Sequence, residues 1–276
     1  MRDAAQSRLA VGFFDGVHRG HQALLRGADA ALTFRNHPLT VLAPERAPRL
    51  IMDADERIAA MRACGVAEVT VLDFTPEIAA LEPQEFLSRY VHSAQVVCGA
   101  NWRFGRGGRG DAAFLRRQGI AVEVVPYAEH CGEPISSSRI RRCLEGGEVA
   151  DANAMLGRRF AVRGQRFRGK GVGASIGWPT VNLMLPTLAL RLPLGVYEVE
   201  MDGLRGLANY GLAPTMGARA WPSPVLEVHL LARPPEVADD TPRTVEFLRF
   251  LRPEMRFESL ESLQRQIAAD FDTIRP

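Results

Sequence analysis

The hydrophobic pattern of this chain changes character near Gly157, and that change constrains the fold more than any other feature. Before it, short apolar runs at Leu9–Val11, Ala30–Phe34, Glu68–Phe74, Val96–Gly99 and Ala121–Pro126 read as strands. Helical stretches fall between and after them: one opens at Asp53, one runs from Pro83 to Val91 with proline in its first turn, and one spans Val149–Leu156. Strands alternating with helices predict a parallel, doubly wound α/β sheet. After Gly157 the pattern becomes short apolar–polar alternation, at Phe160–Gly164, Val196–Glu200, Leu204–Tyr210 and Val225–Leu231, with turn residues and no long helix between. That half predicts a small antiparallel β-barrel. Leu260, Leu263, Ile267 and Phe271 recur at helical spacing and predict a closing amphipathic helix. Two domains are therefore expected, 1–156 and 157–276, and 276 residues suffice for both.

The first strand runs into Gly12-Phe13-Phe14-Asp15-Gly16-Val17-His18-Arg19-Gly20-His21, and a helix candidate begins at Gln22. In doubly wound sheets, ligands bind beyond the carboxyl ends of the strands. A helix start there offers unpaired N–H groups and partial positive charge to phosphates. Two imidazoles add directional donors that can follow charge growing on a transferred phosphoryl group. The segment resembles the G-x-F-D-x-x-H-x-G-H signature of the HxGH nucleotidyltransferases, which join a nucleoside monophosphate to a phosphate ester and release pyrophosphate. It makes His18 and His21 catalytic candidates, with Gly12, Phe14, Asp15 and Gly20 as nucleotide-binding positions.

Composition removes several alternatives. The chain has a single lysine, Lys170, followed by glycine, so no G-x-x-x-x-G-K-[ST] phosphate loop exists and ATP must be held by another cradle. A net charge of +2 is too small to argue for nucleic acid. No apolar run approaches the ~20 residues of a membrane span, and the first residues lack the apolar core of a signal peptide. The four cysteines are scattered without C-x-x-C pairs, which indicates neither zinc nor a disulfide framework. A cytoplasmic protein is expected.

Further segments carry polar chemistry. Gly99-Ala100-Asn101-Trp102-Arg103-Phe104-Gly105 leads into a glycine- and arginine-rich loop that either wraps a nucleotide or is a solvated turn. Ser136, Ser137 and Ser138 precede a helix with Arg141 one turn in. Serines there cap helices, and with an arginine they also suit a triphosphate. In the second half, Gly169 to Gly173 forms a loop that either turns a hairpin or lies against phosphates. In the extended Pro179-Thr180-Val181-Asn182 segment, Thr180 and Asn182 share a face, and both carry oxygen donors that suit Mg²⁺. Glu227 stands between apolar Leu226 and Val228, either as a solvated carboxylate or as a working one.

In order along the chain these segments resemble the bacterial bifunctional riboflavin kinase/FAD synthetases. The likeness includes Thr33-Phe34 to His37-Pro38, Leu156 to Phe160, Gly177 to Asn182, Gly195-Val196-Tyr197, Ala208 to Gly211, Leu226 to His229 and Phe250 to Glu254. It covers nearly the whole chain. The resemblance implies an α/β FMN adenylyltransferase followed by a riboflavin kinase barrel, with ATP, riboflavin and FMN as substrates and Mg²⁺ as cofactor. It further implies that Asn101, Ser136, Ser137, Ser138 and Arg141 bind nucleotide or phosphate, that Gly169 and Gly173 belong to a phosphate loop, and that Glu227 is the kinase base. Relative to the family pattern, the stretch between His21 and Thr33 is short, Phe13 replaces a small polar residue, Asn36 a proline, Ser138 a threonine and Ala174 an arginine. The segment from Ala232 to Thr241 lacks an Asp-Leu-Tyr-Gly element. A monofunctional FAD synthetase with a degenerate kinase half, or a non-catalytic flavin- or nucleotide-binding regulator, stays open beside the bifunctional reading.

Overall fold

The computed structural model describes residues 7–93, 95–167, 180–186, 190–211, 224–232 and 241–275. The chain divides into two compact units, Met1–Ser137 and Ser138–Pro276. In the first, five parallel strands, β1 (Arg8–Val11), β2 (Ala30–Phe34), β3 (Glu68–Leu72), β4 (Gln95–Gly99) and β5 (Ala121–Val125), lie in the order β3-β2-β1-β4-β5. The chain leaves β1 toward β2 on one side, and β4 returns on the other, so the end of β1 is the point where the winding reverses. Helices α1 (Arg19–Leu25), α2 (Leu39–Leu42), α3 (Ala54–Ala63), α4 (Pro76–Ala80), α5 (Pro83–Tyr90) and α6 (Ala112–Arg117) connect the strands. Period-two alternation buries both faces. Leu9 and Val11 pack with Leu32, Phe86, Val96 and Leu115, while Ala10 packs with Leu25, Ala31, Met61 and Val97.

A short hairpin, β6 (Glu129–His130) and β7 (Glu133–Pro134), precedes α7 (Ser137–Glu145) and α8 (Val149–Leu156). Gly157 ends α8 in the left-handed conformation, φ 71°, which its lack of a Cβ permits. Asn153 then ties helix to barrel, accepting from Phe160 N at 2.6 Å and donating to Phe247 O at 2.8 Å.

The barrel has six antiparallel strands, β8 (Phe160–Phe167), β9 (Val181–Met184), β10 (Gly195–Met201), β11 (Leu204–Gly211), β12 (Val225–Leu230) and β13 (Arg243–Pro253). Their closed order is β10-β11-β12-β9-β8-β13. Two of these, β9 and β13, are not among the four alternating runs of the sequence. An aromatic group formed by Phe160, Tyr197, Tyr210 and Phe247 packs together, with ring centroids 5.2–6.4 Å apart. Val196 and Leu207 face the other way and pack under Phe271 and Ile274, which brings the C-terminal helix (Leu260–Asp272) onto the outer wall.

That helix is also fixed by charge. Arg252 donates to both oxygens of Asp270, Nε at 3.0 Å to each and Nη2 at 2.7 Å to Oδ2, and Gln266 Nε2 adds a bond at 2.8 Å. Their side chains are only 17% and 8% exposed. Removing one partner of a buried pair strands the other charge, at roughly 3–5 kcal/mol. Asp270→Ala should therefore destabilise the barrel by about 3 kcal/mol, the low end because Arg252 keeps some access to water. An unchanged denaturation midpoint would show that apolar packing alone seats the helix.

Candidate functional site

The first candidate site is the turn between β1 and α1. Gly12 N donates to Leu32 O, so the chain is still tied to the sheet at that residue. Phe14 then takes a left-handed conformation, φ 59° and ψ 29°, unusual for an aromatic residue, and its ring is buried. The space for that ring comes from Gly12, where a Cβ would lie 3.1 Å from it. A Cβ at Gly20 would lie 3.2 Å from the His18 ring, so both glycines of the motif make room for rings.

His18 caps α1, and its Nδ1 accepts from His21 N at 3.3 Å. The two imidazoles stack with centroids 3.6 Å apart and planes 17° from parallel, and Phe14 meets His21 edge-on at 5.3 Å. Because α1 has only seven residues and His18 engages one of its free N–H groups, the imidazoles outweigh the helix dipole as ligand-binding features. His21 Nδ1 is buried with no hydrogen-bond partner, which leaves Nε2 as its nitrogen open to a ligand. Loss of surrounding water, the adjacent His18 and the cation of Arg57 hold His21 well below the usual imidazole range.

Beneath the turn lies a polar floor. The Asp15 carboxylate is buried and accepts from Ile51 N at 3.0 and 3.3 Å and from Met52 N at 3.4 Å. Its carbonyl accepts from the Ser137 hydroxyl at 2.8 Å. Asp15 and Ser137 thus bind the turn to distant chain segments, a use the motif alone does not reveal. Asp53 and Glu56 form a reciprocal capping box that starts α3 immediately after Met52. One residue later, Arg57 is wholly buried with its guanidinium 4.2 Å over the Phe13 ring. His37 meets the same ring edge-on at 4.8 Å, and the Thr33 hydroxyl donates to Phe13 O. Sequence reasoning missed Arg57. The available signal was an arginine four residues before Met61, on the buried face of α3.

Asn101 follows β4 and is exposed, with Trp102 N closing the turn to Gly99 O at 3.0 Å. Ser136 is exposed at the end of the first unit. Ser138 and Arg141 lie on α7 in the second unit, Arg141 Nη1 standing 3.5 Å from Ser138 Oγ.

The second candidate site is on the barrel wall. Across β9, β12 and β11, Asn182, Glu227 and Asn209 are direct register partners, so their side chains share one face. Asn209 is in turn the partner of Val196, which packs against the C-terminal helix, so this face is the outer one. Asn182 is buried, and among the described residues its carboxamide makes no hydrogen bond. Thr180, half-buried, directly precedes β9. Asn209 Nδ2 donates to Glu254 Oε1 at 3.4 Å. Partial loss of water and the Glu254 carboxylate push the Glu227 carboxyl above its ordinary value. Gly169 and Gly173 lie outside the described residues.

Comparison with known proteins agrees with this division. The family model described as FAD synthetase matches residues 1–139, and the one described as riboflavin kinase matches residues 156–276. The chain is 34% identical to a bifunctional riboflavin kinase/FMN adenylyltransferase of Escherichia coli (strain K12), over 97% of this chain and 91% of that protein. Proteins of the same description from Bacillus subtilis (strain 168) and Pseudomonas fluorescens are 30% and 34% identical, over 97% and 96% of this chain and 91% of each. A crystal structure of a protein described as a macrolide-efflux protein from Streptococcus pneumoniae superposes with a TM-score of 0.86 and 29% identity, covering 97% of this chain and 93% of that one. Among the described residues no helix is long and apolar enough to cross a membrane.

Proposed function

The chain belongs to the bifunctional riboflavin kinase/FMN adenylyltransferases, and from that membership we propose how its residues divide the two reactions. The enzyme phosphorylates riboflavin with ATP to give FMN and ADP, then joins FMN to the adenylyl group of a second ATP, giving FAD and pyrophosphate. The functional boundary is placed at 156/157, supported by the left-handed Gly157 that ends α8 just before the first barrel strand. A cytoplasmic location is proposed with it.

Adenylyl transfer is assigned to the turn after β1, and the stacked pair His18–His21 carries that assignment. In the reaction a phosphate oxygen of FMN attacks the α-phosphorus of ATP as the bond to pyrophosphate breaks. No side chain needs to move a proton, so the task is to stabilise charge on the oxygens in flight. His18 Nδ1 accepts a hydrogen bond, so the neutral ring carries its proton on Nε2. His21 has its Nδ1 buried without an acceptor, which favours a bare lone pair there and the proton on Nε2. Two Nε2–H donors, held side by side, suit the non-bridging α-phosphoryl oxygens. Asn101, Ser136, Ser138 and Arg141 are assigned to nucleotide and phosphate binding, with Gly12, Phe14, Asp15, Gly20 and Ser137 shaping the turn. Gly169 and Gly173 are kept as the kinase phosphate loop on the family likeness alone.

Riboflavin phosphorylation is assigned to the outer face of the barrel, where the register pair Asn182–Glu227 carries it. Glu227 would accept the proton of the ribityl hydroxyl as that oxygen attacks the γ-phosphorus, and its raised affinity for protons suits a general base. Thr180 and Asn182 fit Mg²⁺, a hard cation that takes oxygen donors and shares its shell with substrate phosphates. That Asn182 is largely buried, with a carboxamide unbonded among the described residues, is the observation that supports the fit. When bound, the ion neutralises the phosphates of ATP. Thr180 and Asn182 would hold the ion near Glu227, the register partner of Asn182.

Incubation with riboflavin and Mg-ATP, followed by chromatography of the flavins, tests the division directly. Thr180→Val and Asn182→Ala should each raise the Mg²⁺ needed for half-maximal FMN formation and leave FAD formation from supplied FMN unchanged. Valine keeps the β-branched shape and removes only the oxygen. Kinase titration curves superimposable on wild type would make the Pro-Thr-x-Asn segment structural.

A further inference from the structure

Arg57 is the least explained charge in the first unit. It is fully buried, yet none of the described carboxylates forms an ion pair with it. Its Nη2 donates to two carbonyls just past the β2 core, Phe34 O at 2.5 Å and Arg35 O at 3.2 Å, while Nε and Nη1 have no hydrogen-bond partner. A buried guanidinium with two unmet nitrogens is costly, and a merely structural position would be filled more cheaply by an apolar side chain. Burial also hides those nitrogens from any ligand, so Arg57 acts through its neighbours.

Those neighbours are the histidine turn. The guanidinium lies over Phe13, whose carbonyl is held by Thr33 and whose ring is met by His37. Asp15, bonded to the Ile51 and Met52 amides, ties the turn to the segment that leads into α3 and Arg57. We infer that Arg57 is a positioning residue for adenylyl transfer, its buried cation supporting, through the Phe13 ring, the turn that carries the stacked histidines. The inference rests on the assignment of His21 to that reaction.

The chemistry follows from the geometry of the pair. Protonation of His21 would place a hydrogen on Nδ1, a buried atom with no acceptor, and a positive charge 3.6 Å from the His18 ring. Either change would loosen the stack that aims both Nε2 donors. Arg57 opposes that protonation by charge repulsion, in the same direction as burial and His18. Burial weakens the hold of the Arg57 guanidinium on its proton and Arg35 adds to that, while Asp15 and Asp53 oppose it and help keep the group cationic.

The test uses the full chain and the pH profile of kcat/KM for FAD formation from FMN. In Arg57→Gln the acid limb should move to higher pH, read as a rise over wild type in the pH at which kcat/KM falls to half its plateau. Arg57→Lys, which keeps the charge without the planar fork, should hold the limb near the wild-type position even if the rate falls. A Gln variant that is slower by the same factor at every pH would reduce Arg57 to a structural residue, as would a Lys variant whose limb moves with that of Gln. If the Gln variant does not fold, an NMR titration of His21 in wild type decides. An imidazole that titrates at or above about 6.5, its ordinary value, overturns the inference, and one that stays neutral well below it supports the inference together with an unmoved limb in Lys. His21→Ala separates the two levels. Undiminished FAD formation in that variant removes His21 from the reaction, whereas its loss beside an unmoved limb in Arg57→Gln removes only Arg57.

Discussion

His21→Ala should abolish detectable FAD formation while FMN continues to accumulate from riboflavin and Mg-ATP. Loss of one preorganised donor to the transferring group is worth about 10²–10³ in rate. Here the same substitution also removes the partner that holds the His18 ring in place. The fold of the turn should survive, because the bond that caps α1 uses the backbone N of residue 21, which alanine keeps. The barrel should be indifferent, since Asn182 and Glu227 belong to the other compact unit. The measurement is a time course of riboflavin, FMN and FAD by chromatography, with circular dichroism and a melting curve on the same sample. FAD at the wild-type rate would clear His21 of any role. Equal loss of both products with an intact fold would show that the two reactions are not carried by separate units.

What was legible in the sequence was local. The strand, the Asp-Gly turn and the histidines three apart lie within fourteen consecutive residues, so their spacing already specifies a strand–turn–helix unit. The capping box Asp53–Glu56 and the glycine that ends α8 are equally local, and both stand where the pattern puts them. The strands missed in the barrel were hidden by neighbours. β13 opens with a regular alternation, Arg243, Val245 and Phe247 inward, but its second half lies beside the C-terminal helix, and arginines at 249 and 252 mask the period. β10, which the sequence does mark over Val196–Glu200, is buried on both faces, because the aromatic interior covers one and that helix the other. Short helices such as α2 and α4 span barely one turn and leave no periodic signal.

The candidate sites show the same limit. Asp15 reads as a nucleotide ligand from the motif, but its carboxylate is taken by amides 36 and 37 residues away, a partnership no local pattern encodes. Arg57 looks like an ordinary helix-surface cation until the fold places its face against the sheet. Glu227 and Asn182 are 45 positions apart, and only the pairing of β9 with β12 makes them neighbours. Their chemistry was visible in residue type, and their juxtaposition required the barrel to close.

Glu227→Gln should leave riboflavin and ATP affinity close to wild type and slow FMN formation by about 10²–10⁴-fold, the range for losing a general base. Glutamine keeps the size and the reach toward a ribityl hydroxyl but cannot take its proton. The face that Glu227 shares with Asn182 and Asn209 should be preserved, because the ladder of β12 is made by backbone groups that the change does not touch. The pH dependence supplies the sharper test. Partial loss of water around its carboxyl and the Glu254 carboxylate both raise the affinity of Glu227 for its proton, so wild-type phosphorylation should fall as pH drops through that elevated value, where the base becomes protonated. Glu254→Gln removes a negative charge and should lower that value again, moving the acid limb to lower pH. In Glu227→Gln the limb should vanish, since the titrating group is gone. A Glu227→Gln enzyme at near wild-type rate would take Glu227 out of the mechanism. An acid limb that persists in it unchanged would assign the titration to a different group, and with it the role of the base.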